Sequence, residues 1–421
     1  EFYRQSAASL ANKSGYEKGQ PVGVIGGGLM GLELTTACAL NDVKVFLRAA
    51  HKDRQNLAME RISEALHHAA AKGTVSAETL LERVTSVEDD ALLGTASVIA
   101  EACAEDNQAK IDLFKKLAES VGPETVLVTN TSSFSIGKLA EHAPNPKNFL
   151  GLHFFHPIER MPLVELIVHP GTSKAAIGRA SGFAQSLGKI PLTVKDSPAF
   201  LVNRLLGSYV SEVGYLAQRQ VPMNWLEDAA LDFGMPMGPL TLMDEVGLDV
   251  ANMVSHILHS SFGERLAPPP GLPICLKAGM IGKKTGEGLF LWDKSGKKLD
   301  FNPKIISELK LFFNTEKAET DKLIELQEAM FLPMVDEAAR CLEERVVRRA
   351  REIDLCMVMG LGFPAFRGGL LRWADSIGLK AVIEKLETIY NHGGPERQVS
   401  DYLKKLADQG RGFYSRSAEE S

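Results

Sequence analysis

Pro21-Val-Gly-Val-Ile-Gly-Gly-Gly-Leu-Met-Gly-Leu-Glu-Leu34 is an apolar run that passes through a cluster of glycines into a second apolar run. Gly26, Gly28 and Gly31 supply the spacing G-x-G-x-x-G. In that pattern the first glycine permits a tight turn, the second lets backbone approach a pyrophosphate, and the third brings helix against strand. The N-terminus of the following helix turns unsatisfied N–H groups toward negative charge. Glycine-rich turns are common, so the context decides. Val22 and Val24 alternate before the turn, an apolar helix runs through Ala39 after it, and Val43-Lys-Val-Phe-Leu47 follows as a second strand. That strand–turn–helix–strand order predicts a dinucleotide site, with a purely structural turn as the alternative.

A chain of 421 residues should hold two or three domains, because single cores rarely grow past about 250 to 300 residues. Composition is that of an ordinary globular protein, 45% hydrophobic and 24% charged, and a formal charge of -6 offers no basic field for nucleic acid. Cys38, Cys103, Cys275, Cys341 and Cys356 lack metal spacing and read as buried, reduced thiols. No apolar run has the length of a membrane span and no secretory leader is visible, so a soluble intracellular protein is expected. Residues 1–20 are polar without a core pattern, and residues 415–421 read as a frayed end.

Further along, helical spacing covers residues 56–71 and 107–121, and residues 83–87, 97–100 and 125–129 read as short strands. Such alternation predicts a parallel sheet with right-handed crossovers. Residues 149–155, 163–169 and 190–194 are also strand-like, with one helix over 174–187, and would extend the same sheet. Beyond Asp196 helical patterns dominate and an internal repeat emerges. Residues 212–221 match 337–346, residues 228–234 match 354–360, and Gly238, Asp244 and Gly247 recur as Gly369, Asp375 and Gly378. The fold expected is an α/β Rossmann-like nucleotide-binding domain followed by an all-α, duplicated C-terminal domain. The divisions are a linking segment at 1–20, the nucleotide domain at 21–196, a first helical unit at 197–300 and a second at 317–421. Residues 267–270 and 293–300 read as loops.

Four polar positions in this frame are candidates for chemistry. His153 ends a strand in Gly151-Leu-His-Phe-Phe-His-Pro157, and Glu165 sits among Leu163, Val164, Leu166 and Ile167. A carboxylate in such surroundings is costly unless paired, so a histidine is an economical partner. A carboxylate against imidazole fixes its tautomer and raises its basicity, as removal of an alcohol proton requires. The bland alternative is a core histidine and an unrelated structural glutamate. Asn130-Thr-Ser-Ser133 ends a strand where open α/β sheets bind ligands, and Ser132 is either a donor to substrate or a helix cap. Asn203-Arg204 opens the first long helix. His256 and His259 lack a third ligand, so no metal is expected, and Gly282-Lys-Lys-Thr285 lacks the leading glycine of a phosphate loop.

With these residues in place the chain resembles the L-3-hydroxyacyl-CoA dehydrogenase family, in particular the dehydrogenase portion of multifunctional fatty-acid β-oxidation proteins. The likeness covers nearly all of residues 21–421. It is carried by Gly26-Gly-Gly-Leu-Met-Gly31, Asn130-Thr-Ser-Ser133, His153-Phe-Phe-His-Pro157, Leu163-Val-Glu165, Phe200-Leu-Val-Asn-Arg204, Met237-Gly-Pro239, Gly282-Lys-Lys-Thr-Gly286 and Gly360-Leu-Gly-Phe-Pro364 in family order. The resemblance implies oxidation of a 3-hydroxyacyl-CoA to the 3-keto thioester. It makes His153 the general base, Glu165 its orienting carboxylate, and Ser132 and Asn203 partners of the substrate oxygens. Gly26, Gly28, Leu29, Met30, Gly31, Arg48, Glu105, Lys110 and Asn130 are implied as the cofactor surface. It further implies an enoyl-CoA hydratase domain upstream, residues 1–20 as the remnant of the link to it, and a thiolase subunit as partner.

Three positions depart from the pattern. Ala49 stands where an acidic residue binds the adenosine ribose, which leaves NADP possible beside the expected NAD: Arg48 either points away from the pocket in a solvated basic helix start or pairs with a 2′-phosphate. Ala199 replaces a glycine, and His156 follows the two phenylalanines in place of a smaller polar residue. Competing functions are a dehydrogenase of a small non-CoA 3-hydroxy acid and a non-catalytic homologue that binds cofactor only.

Overall fold

Val22–Ile25 (β1), Val45–Arg48 (β2), Val84–Ser86 (β3), Val98–Glu101 (β4), Val126–Thr129 (β5), Phe149–Phe154 (β6), Leu163–Val168 (β7) and Ile190–Lys195 (β8) form one sheet. Its order is β3-β2-β1-β4-β5-β6-β7-β8. The computed structural model describes residues 15–415 except 18, 312, 315 and 393. Most of the segment expected to be a linker, and the C-terminal residues beyond 415, therefore lie outside the described residues. Tyr16, in that polar stretch, is nevertheless buried and meets the ring of Phe183 at 5.9 Å.

The strands from β1 to β6 are parallel neighbours, as the alternation of helix and strand predicts. Leu29–Leu40 (α1), Lys52–Ala70 (α2) and Asn107–Leu117 (α3) supply crossovers, and Lys174–Ser186 (α4) joins the parallel pair β7 and β8. The expectation of a parallel sheet fails at one place. β7 runs antiparallel to β6, because residues 155–162 hold no helix to carry the chain back for a parallel return. β1, β4 and β5 are buried along their whole length, as befits a sheet covered on both faces.

The chain divides into two compact units, Glu1–Ser197 and Pro198–Ser421. Among its described residues the second unit is helical, apart from a two-stranded antiparallel hairpin of Phe290–Trp292 (β9) and Lys298–Phe301 (β10). The sequence pattern predicts a loop over most of the second of these strands. Polar side chains hide the strand signal there, and pairing with β9 and stacking of Phe301 on Phe290 at 4.3 Å hold it. Ala199 and Phe200 at the start of this unit both have left-handed φ, 57° and 61°. The glycine that Ala199 replaces would take that conformation without strain.

The repeat is realised as two sets of four helices. Val202–Gln218 (α5), Met223–Phe233 (α6), Pro239–Val246 (α7) and Leu248–Phe262 (α8) are followed by Thr320–Glu343 (α9), Ala350–Gly360 (α10), Leu370–Ile377 (α11) and Leu379–Asn391 (α12). Matching by residue identity misplaces one pair. Asp354 accepts hydrogen bonds from the backbone N–H of Leu371 and Arg372 at the start of α11, at 2.7 and 3.2 Å. In the first copy it is Glu227, one residue before Asp228, that accepts from Leu240 and Thr241 at the start of α7, at 2.7 and 3.1 Å. A buried helix start needs an acceptor for its orphan N–H groups, and a carboxylate one methylene longer does it from the same helical position. Asp244 and Asp375 do correspond: one accepts from Leu289 and Phe290, the other from Phe413 and Tyr414.

The two copies exchange buried ion pairs. Arg204 on α5 is fully buried and donates from Nε to Glu337 at 2.6 Å and from both terminal nitrogens to Glu344 at 2.6 and 2.8 Å. Arg265, after α8, reaches Glu337 at 3.1 Å, and Arg397, after α12, reaches the buried Glu212 of α5 at 2.8 Å. Phe331 of α9 stacks between Tyr209 at 5.2 Å and Phe233 at 4.2 Å. Among the described residues no helix is long and apolar enough to cross a membrane.

Glu337→Gln interrupts this exchange and should lower unfolding free energy in urea by about 3 to 5 kcal/mol, the scale of breaking a buried pair. Removal of residues 317–421 strips Arg204 of both carboxylates and should give insoluble protein, so a soluble, monodisperse truncation would contradict the mutual dependence of the copies. Burial pushes the Asp354 carboxyl up to about 6 against the hydrogen bonds from Tyr414, Leu371 and Arg372. The folded state then holds this proton more tightly than the unfolded state, so its contribution to stability falls as pH rises from about 4 through about 6. Urea midpoints across that range should slope more steeply downward for the wild type than for Asp354→Asn.

Candidate active site

Gly26, at the end of β1, has φ 133°, and a Cβ there would stand 2.3 Å from the carbonyl oxygen of Ala102. Gly31, inside α1, lies so close to the turn that a Cβ would meet the oxygen of Gly26 at 2.0 Å. Gly28 is different: nothing lies within 4 Å of where its Cβ would be, and it caps α1 without any side-chain hydrogen bond. The first N–H groups of α1 therefore open onto an uncrowded space, as a pyrophosphate requires. Leu29 beside it is 60% exposed, and Met30 packs partly against the core.

The ends of β4, β5 and β6 carry the polar residues. The register of β6 against β7 sets His153 directly opposite Glu165, and the ring Nδ1 lies 2.8 Å from Glu165 Oε2. Glu165 is fully buried and His153 is 6% exposed. An ionised carboxylate can only accept, so Nδ1 carries the proton of this bond. The ring of Phe155 lies 4.6 Å from the imidazole and limits its movement.

Ser132 does not stand alone at the end of β5. Its N–H and hydroxyl both donate to Glu105 Oε1, at 2.6 and 3.1 Å, together with the Thr131 hydroxyl at 2.8 Å. Lys110, expected beside Glu105 on the cofactor surface, is buried and bonds chiefly to Glu101, at 2.7 and 2.9 Å, with Glu105 at 3.5 Å. Asn130 accepts from the Phe154 N–H at 2.9 Å, which ties β5 to the strand that bears His153. Asn203 belongs to the other compact unit, in the first turn of α5. Arg48 turns its guanidinium to Asp90 at 2.8 Å.

Several residues of the site carry no clear mark in the sequence. Glu101 is fully buried at the end of β4, where it also accepts from the Thr129 hydroxyl at 2.5 Å and the Cys103 N–H at 2.7 Å. A charge closing the apolar run Val98-Ile-Ala-Glu101 is the one available signal. Glu33 on α1 pairs with His156 at 2.8 Å and accepts from the Ile158 N–H at 2.9 Å, joining the helix of the glycine turn to the loop after β6. No pattern in the sequence marks that pair. Cys103 is exposed rather than buried, because it stands outside the strand end. The described residues contain no cluster of three or more His, Cys, Asp or Glu side chains placed to hold a metal.

Residues 21–197 match the family model described as 3-hydroxyacyl-CoA dehydrogenase, NAD binding domain. Residues 200–292 and again 327–416 match the model of its C-terminal domain. The fatty acid oxidation complex subunit alpha of Vibrio vulnificus is 34% identical over 93% of this chain and 56% of its own length. The chain thus spans little more than half of that relative. An (S)-3-hydroxybutyryl-CoA dehydrogenase from Ralstonia eutropha is 30% identical, with a TM-score of 0.62 over 65% of this chain and 99% of that one. The 3-hydroxybutyryl-CoA dehydrogenase of Escherichia coli K12 shares the fold at a TM-score of 0.79 and 24% identity, covering 94% of this chain and 99% of that one. With a glycine turn shaped for a dinucleotide, a buried His153–Glu165 pair and two helical repeats that each match the family's C-terminal model, the chain belongs to the 3-hydroxyacyl-CoA dehydrogenase family.

Proposed function

We propose that this chain oxidises the 3-hydroxyl of an L-3-hydroxyacyl-CoA to the ketone, with NAD as hydride acceptor, as a step of fatty-acid β-oxidation. The observation that carries the reading is the 2.8 Å bond between His153 Nδ1 and the buried Glu165. It supports a base whose second nitrogen is held ready for an alcohol proton. The open, glycine-lined start of α1 supports dinucleotide binding, with Gly26, Gly28 and Gly31 shaping the cradle and the N–H groups of Leu29 and Met30 meeting the pyrophosphate.

A bound nicotinamide dinucleotide would supply the acceptor for the hydride of substrate C3. His153 Nε2 accepts the proton of the 3-hydroxyl, so that the oxygen gains carbonyl character as the C3–H bond breaks. Glu165 keeps the ring in the productive tautomer and stabilises the imidazolium that forms. Ser132 and Asn203 take the part of hydrogen-bond partners to the substrate oxygens, and Ser132 does so by turning its hydroxyl from Glu105. Lys110, itself held by Glu101, braces Glu105. The name of the Vibrio relative, a subunit of a fatty acid oxidation complex, supports multienzyme partners; a hydratase region upstream and a thiolase subunit are the partners the family resemblance implies.

Reduction of a 3-ketoacyl-CoA, followed by loss of NADH absorbance, tests the assignment directly. Turnover of the CoA thioester with none of the free acid is expected; the reverse would make this a dehydrogenase of small hydroxy acids. His153→Ala should lower kcat by about 100-fold or more, the usual loss on removing a general base, while dinucleotide affinity holds. Near-normal turnover in that variant would take His153 out of the chemistry. Glu165→Gln should lower kcat less than His153→Ala does, again with dinucleotide affinity unchanged, because the ring stays in place but loses its charged partner.

A further inference from the structure

On the reading that the turn after β1 holds a nicotinamide dinucleotide, the adenosine end of that site lacks the charge that normally separates NAD from NADP. In such sites a carboxylate closing the second strand accepts bonds from the ribose 2′-hydroxyl and repels a 2′-phosphate. Here that strand, β2, ends at Arg48, and Ala49 follows with its Cβ 3.0 Å from the point where a side chain on Gly27 would begin. The position that would read the ribose is therefore a methyl group against the glycine turn.

The neighbouring groups do not restore a charge of either sign. The Ala49 N–H donates to the side-chain oxygen of Gln55, and the Gln55 amide nitrogen donates to the Leu47 carbonyl at 2.8 Å and the Ser86 hydroxyl at 2.9 Å. Gln55 is buried, neutral and satisfied at both ends, so it fills the space beneath the strand end without presenting a carboxylate. Arg48, the side chain best placed in the sequence to clamp a 2′-phosphate, is 14% exposed and turned to Asp90, itself 8% exposed, at 2.8 Å. Lys116 approaches the other oxygen of Asp90 at 3.5 Å. At the start of α2, Lys52 and Arg54 flank Asp53, all exposed, and Lys52 lies 3.7 Å from Glu88. Around the strand end the cations Arg48, Lys52, Arg54 and Lys116 face the acids Asp53, Glu88 and Asp90, so charges of both signs are interspersed and neither dominates strongly.

We propose that the site accepts NADP as well as NAD, with affinities within about tenfold of each other, because Ala49 and Gln55 read the ribose without charge and Asp90 withdraws Arg48 from phosphate recognition. A charged hydrogen bond to the 2′-hydroxyl and the repulsion of a phosphate would each change the ratio by tenfold or more. Both are missing here. Hence neither dinucleotide gains a large advantage.

The test is equilibrium binding of NADH and NADPH to the full chain, followed by quenching of protein fluorescence and independent of turnover. The expected result is a ratio of dissociation constants within about tenfold for the wild type. Ala49→Asp should then shift that ratio toward NADH by tenfold or more, and Arg48→Met should leave it within about threefold. A wild type that prefers either dinucleotide by about a hundredfold overturns the inference without a variant being needed. So does selective loss of NADPH binding in Arg48→Met, which would make Arg48 the clamp. Failure to bind either dinucleotide removes the cofactor site itself, a distinct outcome from preference for one.

Discussion

A carboxylate taken out of water must meet donors, and this constraint organises both units of the protein. Glu165 has no exposed surface and is met by His153; Glu101 has none and is met by Lys110, Thr129 and a backbone N–H. In the helical unit Glu212 and Glu337 are met by arginines from the opposite copy of the repeat. Each of these pairs joins residues from different elements. The carboxylates therefore act as registers: an element that slips leaves a buried charge unpaired, which costs more than the pair contributes when intact.

In the nucleotide unit this constraint and the chemistry coincide. The parallel part of the sheet presents its strand ends to one edge, and β4, β5 and β6 bring Glu101, Asn130 and His153 there. The antiparallel return of β7 supplies Glu165 from the middle of a strand instead of from a loop. A histidine whose partner is fixed by ladder hydrogen bonds has its ring direction set by the sheet. Asn130 and Glu33 extend the same fixing to the strand and loop on either side of His153.

Duplication of the helical unit retains its packing devices and not the polar pair at the start of its first helix. Both copies keep the acidic caps of a short helix, Glu227 and Asp354, and the acids Asp244 and Asp375 that pin later segments. The polar pair Asn203-Arg204 is not repeated. Its counterparts by offset are Glu328 and Ala329, and Glu328 serves a salt bridge to Lys385 at 2.7 Å. The second copy supplies packing and counter-charges to the first, with Phe331 filling the aromatic stack and Glu337 neutralising Arg204.

Much of this is legible in the sequence, and for a local reason. Period-two runs, glycine spacing and helical stripes are near-neighbour properties, so they determined the glycine turn, the succession of strands and helices, the existence of the repeat and the candidacy of His153 and Glu165. Tertiary structure alone decided the rest. The side of β6 on which β7 lies, and hence the pairing of His153 with Glu165, comes from strand register. The turning of Arg48 to Asp90 and of Ser132 to Glu105 comes from which charges share a strand edge. The role of Glu227 in place of Asp228 comes from helix rotation about its axis. These depend on groups far apart in the chain that must satisfy one another once water is excluded, and no local pattern encodes that requirement.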